Sequence, residues 1–167
     1  MHPLLAKIES YRSGPDILRE AITGMSNLQF DAKPIPGKWS TRFVVCHVAD
    51  FEMVYADRMK RVLAQSKPLL LDGDPDKFAA QLSYNRRTVS TELFLIEQVR
   101  RQMTTILLNL DSEDFDRTGI HSVEGVITLE ALLEGITNHL VHHVSFIEEK
   151  RAAMESSEDN SKWLENY

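Results

Sequence analysis

Six histidines, His2, His47, His121, His139, His142 and His143, are the residues of this 167-residue chain best placed by type and spacing to do chemistry. His139 and His143 are four apart, so on a helix they share one face, with Cβ atoms about 5–6 Å apart. His142 is turned about 100° away from His143 on the same helix. His47 stands among Val44, Val48 and Phe51, again on an apolar stripe. Three imidazoles aimed at one interior have a physical reason to coexist. A divalent metal takes one neutral nitrogen from each at about 2.0–2.1 Å and keeps further positions open. Three protein ligands with open positions suit catalysis better than a closed structural site does. The competing reading is that His47, His139 and His143 are core residues hydrogen-bonded among themselves, because a histidine pair at spacing four is a weak signal alone. The zinc-protease motif is missing. Leu140-Val141-His142 fills the space between the pair and no Glu follows His139, so the base of that mechanism is lacking.

Several neighbours carry two readings each. Asp50, three residues after His47, is a candidate to orient a ligand's far nitrogen or to act on a water, and is otherwise a helix acid with a hydrogen bond. Cys46 is turned about 100° from His47 and reads first as a small buried apolar residue, second as a thiolate ligand. Trp39 reads as packing under the bundle mouth before it reads as a pocket wall. Asn138 points away from His139. Arg86-Arg87 and Arg100-Arg101 read as surface charge, with anion binding as the alternative.

The elements that must position these residues are helices. From Ser40, an N-cap candidate, apolar residues recur at Val44, Val48, Phe51, Tyr55, Met59 and Val62, one stripe of a long helix. Pro34-Ile35-Pro36-Gly37 upstream reads as an extended loop. A second long helix is expected from about Thr88 to Asn109, with Leu93, Ile96, Val99 or Arg100, Met103 and Ile106 on its stripe. A third is expected from Thr128, as cap, to about Met154, with Leu129, Leu132, Ile136, Leu140, Val144 and Ile147 inward. In the first 30 residues Gly14-Pro15 interrupts the pattern. The expectation there is a short helical piece, a break, and a helix from Pro15 to about Met25. Asp74-Pro75-Asp76 opens a short helix to about Leu82. Residues 111–127, with Gly119 and Gly125, read as a long polar connection, and no alternation is long enough to force a sheet. Four long helices around one core make an all-α four-helix bundle. One domain is expected over residues 1–154. The acidic tail of residues 155–167 is read either as flexible or as docked through Trp163, Leu164 and Tyr167.

Composition narrows the function classes. With 43% hydrophobic and 26% charged residues the chain is globular in type, not disordered. A net charge of −6 argues against nucleic acid as the main partner, because phosphate binding needs a clustered basic face. A single cysteine forms no internal disulfide, and the first residues lack a secretory pattern, which together point to a cytoplasmic protein. No apolar run approaches the roughly 18 residues of a membrane span.

Pro36-Gly37-Lys38-Trp39-Ser40, then Cys46-His47-Val48-Ala49-Asp50, then Thr128-Leu129-Glu130, then His139-Leu140-Val141-His142-His143 follow one another in an order that resembles the DinB/YfiT-like superfamily. The family pattern is Trp-Ser/Thr shortly before a helix carrying His-x-x-Asp, with H-x-x-x-H on the last helix. The likeness spans about residues 15–152. It implies a four-helix bundle with a long crossover connection. It also implies a homodimer, and zinc or nickel held by His47, His139 and His143. The implied chemistry acts on a small-molecule substrate, by activation of water in a hydrolase or of a low-molecular-weight thiol, such as bacillithiol or glutathione, in a transferase. The alternative is a non-catalytic stress-response or interaction module in which the metal is structural.

Overall fold

A computed structural model of the chain describes residues 4–156. His2, Trp163, Leu164 and Tyr167 lie outside the described residues, and so does nearly all of the tail. Four long helices carry the fold: α1 (Leu5–Ile22), α3 (Thr41–Ala64), α5 (Val89–Leu107) and α6 (Leu129–Glu155). Two short ones, α2 (Asn27–Asp31) and α4 (Pro75–Gln81), sit in the connections. Local chemistry sets the ends. Ser40 caps α3 by accepting the Phe43 N–H, and Thr128 caps α6 by accepting the Ala131 N–H. Each such cap contributes about 1 kcal/mol. Asp74 accepts from Asp76 and Lys77 at the start of α4, with Pro75 in the first helical position.

Each long helix packs against two others: α1 and α3 both pack against α5 and α6, and lie diagonally across the bundle from each other. One apolar cluster joins Ile8, Met59, Met103 and Leu132. The other joins Leu18, Val44, Leu93 and Val144. These memberships make α1 run parallel to α6, α3 parallel to α5, and the two pairs antiparallel. Parallel α3 and α5 need a connection that travels the length of the bundle, and residues 65–88 supply it.

Two expectations are corrected. Residues 111–127 are not all loop. Thr118–His121 (β2) and Gly125–Thr128 (β3) pair antiparallel, and Leu69–Leu70 (β1) from the crossover adds parallel to β2. Strands of two to four residues are too short to leave an alternating pattern, and the pairing is held instead by the tight turn at Gly125 (φ +79°) and by bonds such as Ser122 N–H to the Leu70 carbonyl at 2.9 Å.

The second correction concerns Gly14-Pro15, which does not break the first helix; α1 runs through it unbroken. Pro15 lacks the N–H that would donate to the Tyr11 carbonyl. Arg100 of α5 supplies the missing donor, Nη1 to that oxygen at 2.6 Å. Gly14 makes room, since a methyl group there would collide with the guanidinium. Arg100 is therefore not surface charge: it is 1% exposed and paired with fully buried Glu52 of α3. Its other contacts are the Ile136 carbonyl of α6 at 3.1 Å and the Tyr11 ring, 4.5 Å from centroid to guanidinium carbon. Gly14→Ala is expected to destabilise by about 1–3 kcal/mol, the usual cost of forcing atoms into a packed core. Denaturant unfolding measures it, and unchanged stability would show that the guanidinium can move aside.

Candidate metal centre

His47 lies in the second turn of α3, between Val44 and Val48, whose burial turns that face inward. His139 and His143 lie one turn apart on α6, on the face that buries Leu140 and Ile136. The two helices pack together, and the three rings meet. Their centroids are 4.9 Å (His47–His139), 4.6 Å (His47–His143) and 4.5 Å (His139–His143) apart. One ligand-capable atom from each lies within 4.8 Å of the others. The Nε2 atoms of His47 and His139 are 2.9 Å apart. Two nitrogens on one tetrahedral zinc stand about 3.3 Å apart, so a small opening of the rings accommodates an ion.

The donor set fits a divalent metal on further grounds. Burial lowers the pKa of His47 to about 4, with Asp50 opposing. Burial, and then the neighbouring imidazoles, lower His139 and His143 to about 3. All three are neutral at pH 7 and offer lone pairs. Their Nδ1 atoms are buried and have no hydrogen-bond partner. Orphaned buried polar atoms are costly; an ion meeting the Nε2 atoms of His47 and His139 would leave the Nδ1 atoms of those rings as the far nitrogens, so the fit rests on the neutral, converging lone pairs. Aromatic packing takes over the orienting role that carboxylates or carbonyls usually have around such ligands. Phe51 sits 4.5 Å from His47 and stacks on His139 at 5.6 Å, Trp39 meets His47 edge-on at 5.4 Å, and Phe146 lies 5.5 Å from His143. Phe78 of α4 backs Phe51 at 5.6 Å, which is what the crossover contributes here.

The folded pKa values lie below histidine's usual 6.5, so unfolded chains bind more protons than folded ones once the pH drops below that value. Metal-free protein is therefore expected to lose stability as pH falls from about 6.5 towards 4 and then 3. Thermal melts in chelator between about pH 7 and 5 check this, and His139→Ala should show a shallower decline. Equal slopes would remove the cluster as the cause.

The remaining candidates fall elsewhere. Asp50 forms an ion pair with Arg87 at 2.9 Å, and Arg87 also pairs with Glu92, so neither Asp50 nor Arg87 is a free surface charge. Cys46 is fully buried, its Sγ 3.8 Å from the Tyr84 carbonyl, burial pushes the thiol up to about 12, and its sulfur is not among the converging ligand atoms. His142 and Asn138 are exposed. None of Asp50, Cys46 or His142 joins the three-histidine group, so among the described residues there is no fourth protein ligand. Trp39 both packs on His47 and lines a recess beside His143. Phe51 and Phe146 were not singled out as site residues; their spacing of four from His47 and three from His143 is the signal that would have found them.

Among the described residues no helix is long and apolar enough to cross a membrane. Residues 10–147 match the family model of the DinB superfamily. A protein of Oceanobacillus iheyensis provisionally named a metal-dependent hydrolase is 24% identical over 147 residues, covering 88% of this chain and 83% of its own length. A Bacillus cereus protein of the same provisional name is 28% identical over 140 residues, 84% of this chain and 80% of its own. YfiT from Bacillus subtilis, provisionally described as a metal-dependent hydrolase with an unusual four-helix bundle topology, superposes with a TM-score of 0.85 at 27% identity, over 91% of this chain and 87% of its own. A DinB-like Bacillus subtilis protein, YjoA, shares the fold at a TM-score of 0.62 and 19% identity, over 92% of this chain and 94% of its own.

Proposed function

This chain belongs to the DinB superfamily, and from that premise we propose that it is a metal-dependent enzyme of the hydrolase type, with His47, His139 and His143 holding one divalent ion, zinc or nickel. The observation that carries the reading is the convergence of three neutral imidazoles without a fourth protein ligand among the described residues. The provisional names of the relatives point the same way. A divalent ion held there supplies a nucleophile at neutral pH, because it acidifies the water or thiol beside it.

The chain's own residues supply the rest. Burial keeps the histidines unprotonated and ready to bind. Trp39, Phe51 and Phe146 fix the ring planes and shield the cluster on the sides they cover. Asp50 is held by Arg87 and takes no proton in this reading.

That last point favours a second reading at the same site. With the nearest helix acid already paired, a thiol, which loses its proton far more easily than water, is the less demanding nucleophile. The test is turnover of 4-nitrophenyl acetate, and of 1-chloro-2,4-dinitrobenzene with glutathione, by zinc- and nickel-loaded protein. Metal-dependent ester cleavage without thiol supports the hydrolase. Turnover only with thiol supports the transferase. No turnover above that of His139→Ala in either assay overturns both and leaves a structural metal.

A further inference from the structure

Beside the histidine cluster, on the side of His143, the surface opens into a recess of about 240 Å³. Trp39, Val44 and Phe146 give it apolar walls, and His143 forms part of its lining. A cavity near 150 Å³ already holds benzene, so this one takes a body of one to two rings or a short branched chain. Two lysines line the same recess. Lys38 Nζ stands 5.6 Å and Lys150 Nζ 5.8 Å from the centroid of the Phe146 ring.

Lys150 is the unusual one. It is 2% exposed, yet its ammonium donates to the Phe146 carbonyl at 2.9 Å, which uses one of its three donors. Among the described residues no carboxylate forms an ion pair with it. A buried ammonium without an ion-pair partner is costly. Burial lowers the pKa of Lys150; Glu149, which also lines the recess, opposes this, and Lys38 lowers it further. A negative group arriving in the recess would compensate both lysines.

We propose that this recess is the substrate subsite of the metal centre, and that it takes an apolar body carrying a negative charge, as a carboxylate, sulfonate or phosphate group, while the adjacent bond is presented to the cluster at His143. The inference rests on the enzymatic reading above and names its substrate class. The recess supplies both halves of that preference: aromatic walls for the body, and two lysines whose charge exceeds that of Glu149, the one carboxylate in its lining.

The test reads binding without turnover. Naphthalene-2-sulfonate and its uncharged partner naphthalene-2-sulfonamide are titrated calorimetrically into metal-free protein in chelator, where neither probe can ligate an ion. The sulfonate is expected to bind roughly tenfold or more tightly than the sulfonamide, the scale of one charge-assisted hydrogen bond. Lys38→Met and Lys150→Met should each weaken the sulfonate several-fold and leave the sulfonamide unchanged. Lys38 is exposed, so its variant keeps the test valid even where loss of buried Lys150 upsets folding. Equal affinities for the two probes, no saturable sulfonate binding, or sulfonate binding indifferent to Lys38→Met would overturn the subsite. The two readings fail separately: ester turnover with equal probe affinities leaves the hydrolase standing without this subsite. Selective sulfonate binding without any turnover leaves the anion site standing and removes the enzyme.

Discussion

His139→Ala is expected to abolish divalent-metal binding, while His142→Ala, one helix turn position away, leaves it intact. Wild-type protein incubated with zinc and desalted should carry close to one ion per chain by mass spectrometry. His139 touches both other rings: Nε2 lies 2.9 Å from that of His47, and its centroid is 4.5 Å from that of His143. Removing it leaves two ligands on different helices, which fill only half of a tetrahedral ion's positions. Losing a group that merely orients a ligand weakens metal affinity by about 10–100-fold, so loss of a ligand itself should exceed roughly a hundredfold. His142 is exposed and outside the group, so its removal tests whether any histidine on α6 would do.

The same experiment has a stability readout. A ligand that binds only the folded state stabilises it by about 2.7 kcal/mol at a hundred times its Kd. Zinc should therefore raise the melting temperature of wild type and of His142→Ala, and leave that of His139→Ala unmoved. Full metal content in His139→Ala would mean that the ion sits elsewhere, and the cluster would revert to three core imidazoles.

Much of this site was legible in the sequence because helices convert spacing directly into direction. The apolar stripe from Val44 to Val62 and that from Leu129 to Ile147 fixed which side of α3 and α6 turns inward, and His47, His139 and His143 fall on those sides. Ser40 and Thr128 marked where both helices begin, since a cap is a local interaction. What stayed hidden depends on partners distant in the chain. Trp39 as a wall of the recess requires Phe146 opposite. Arg87 beside Asp50 requires the crossover to return to α3. The small sheet depends on β1 reaching β2 across fifty residues, which no local pattern encodes.

Arg100 is the sharpest case of this. By position it shares the stripe's edge with Val99 and reads, beside Arg101, first as a solvent charge; in the fold it touches all three other long helices. Arg100→Met is expected to destabilise by about 3–5 kcal/mol, the usual cost of leaving a buried charge without its partner, here Glu52. For a chain of this length that corresponds to a fall in Tm of about 6–20 °C. Restoring the balance with Glu52→Gln should recover part of the loss, because the unpaired carboxylate is gone.

A second component of the loss belongs to Pro15. With Arg100 gone, the Tyr11 carbonyl has lost both its helical donor and the guanidinium that replaced it. Pro15→Ala returns an N–H at the position from which helices normally satisfy that oxygen. Arg100→Met should thus cost less in the Pro15→Ala background than in wild type, by roughly the 1–3 kcal/mol of one unsatisfied buried acceptor. A double-mutant cycle in denaturant measures the difference. Strict additivity would mean that the guanidinium serves Glu52 alone and that α1 passes Gly14-Pro15 for some other reason. A positive coupling would mean that a residue on α5 permits the proline in α1. That would explain why the local pattern around Gly14-Pro15 signals a break: the helix's continuity is decided about ninety residues downstream.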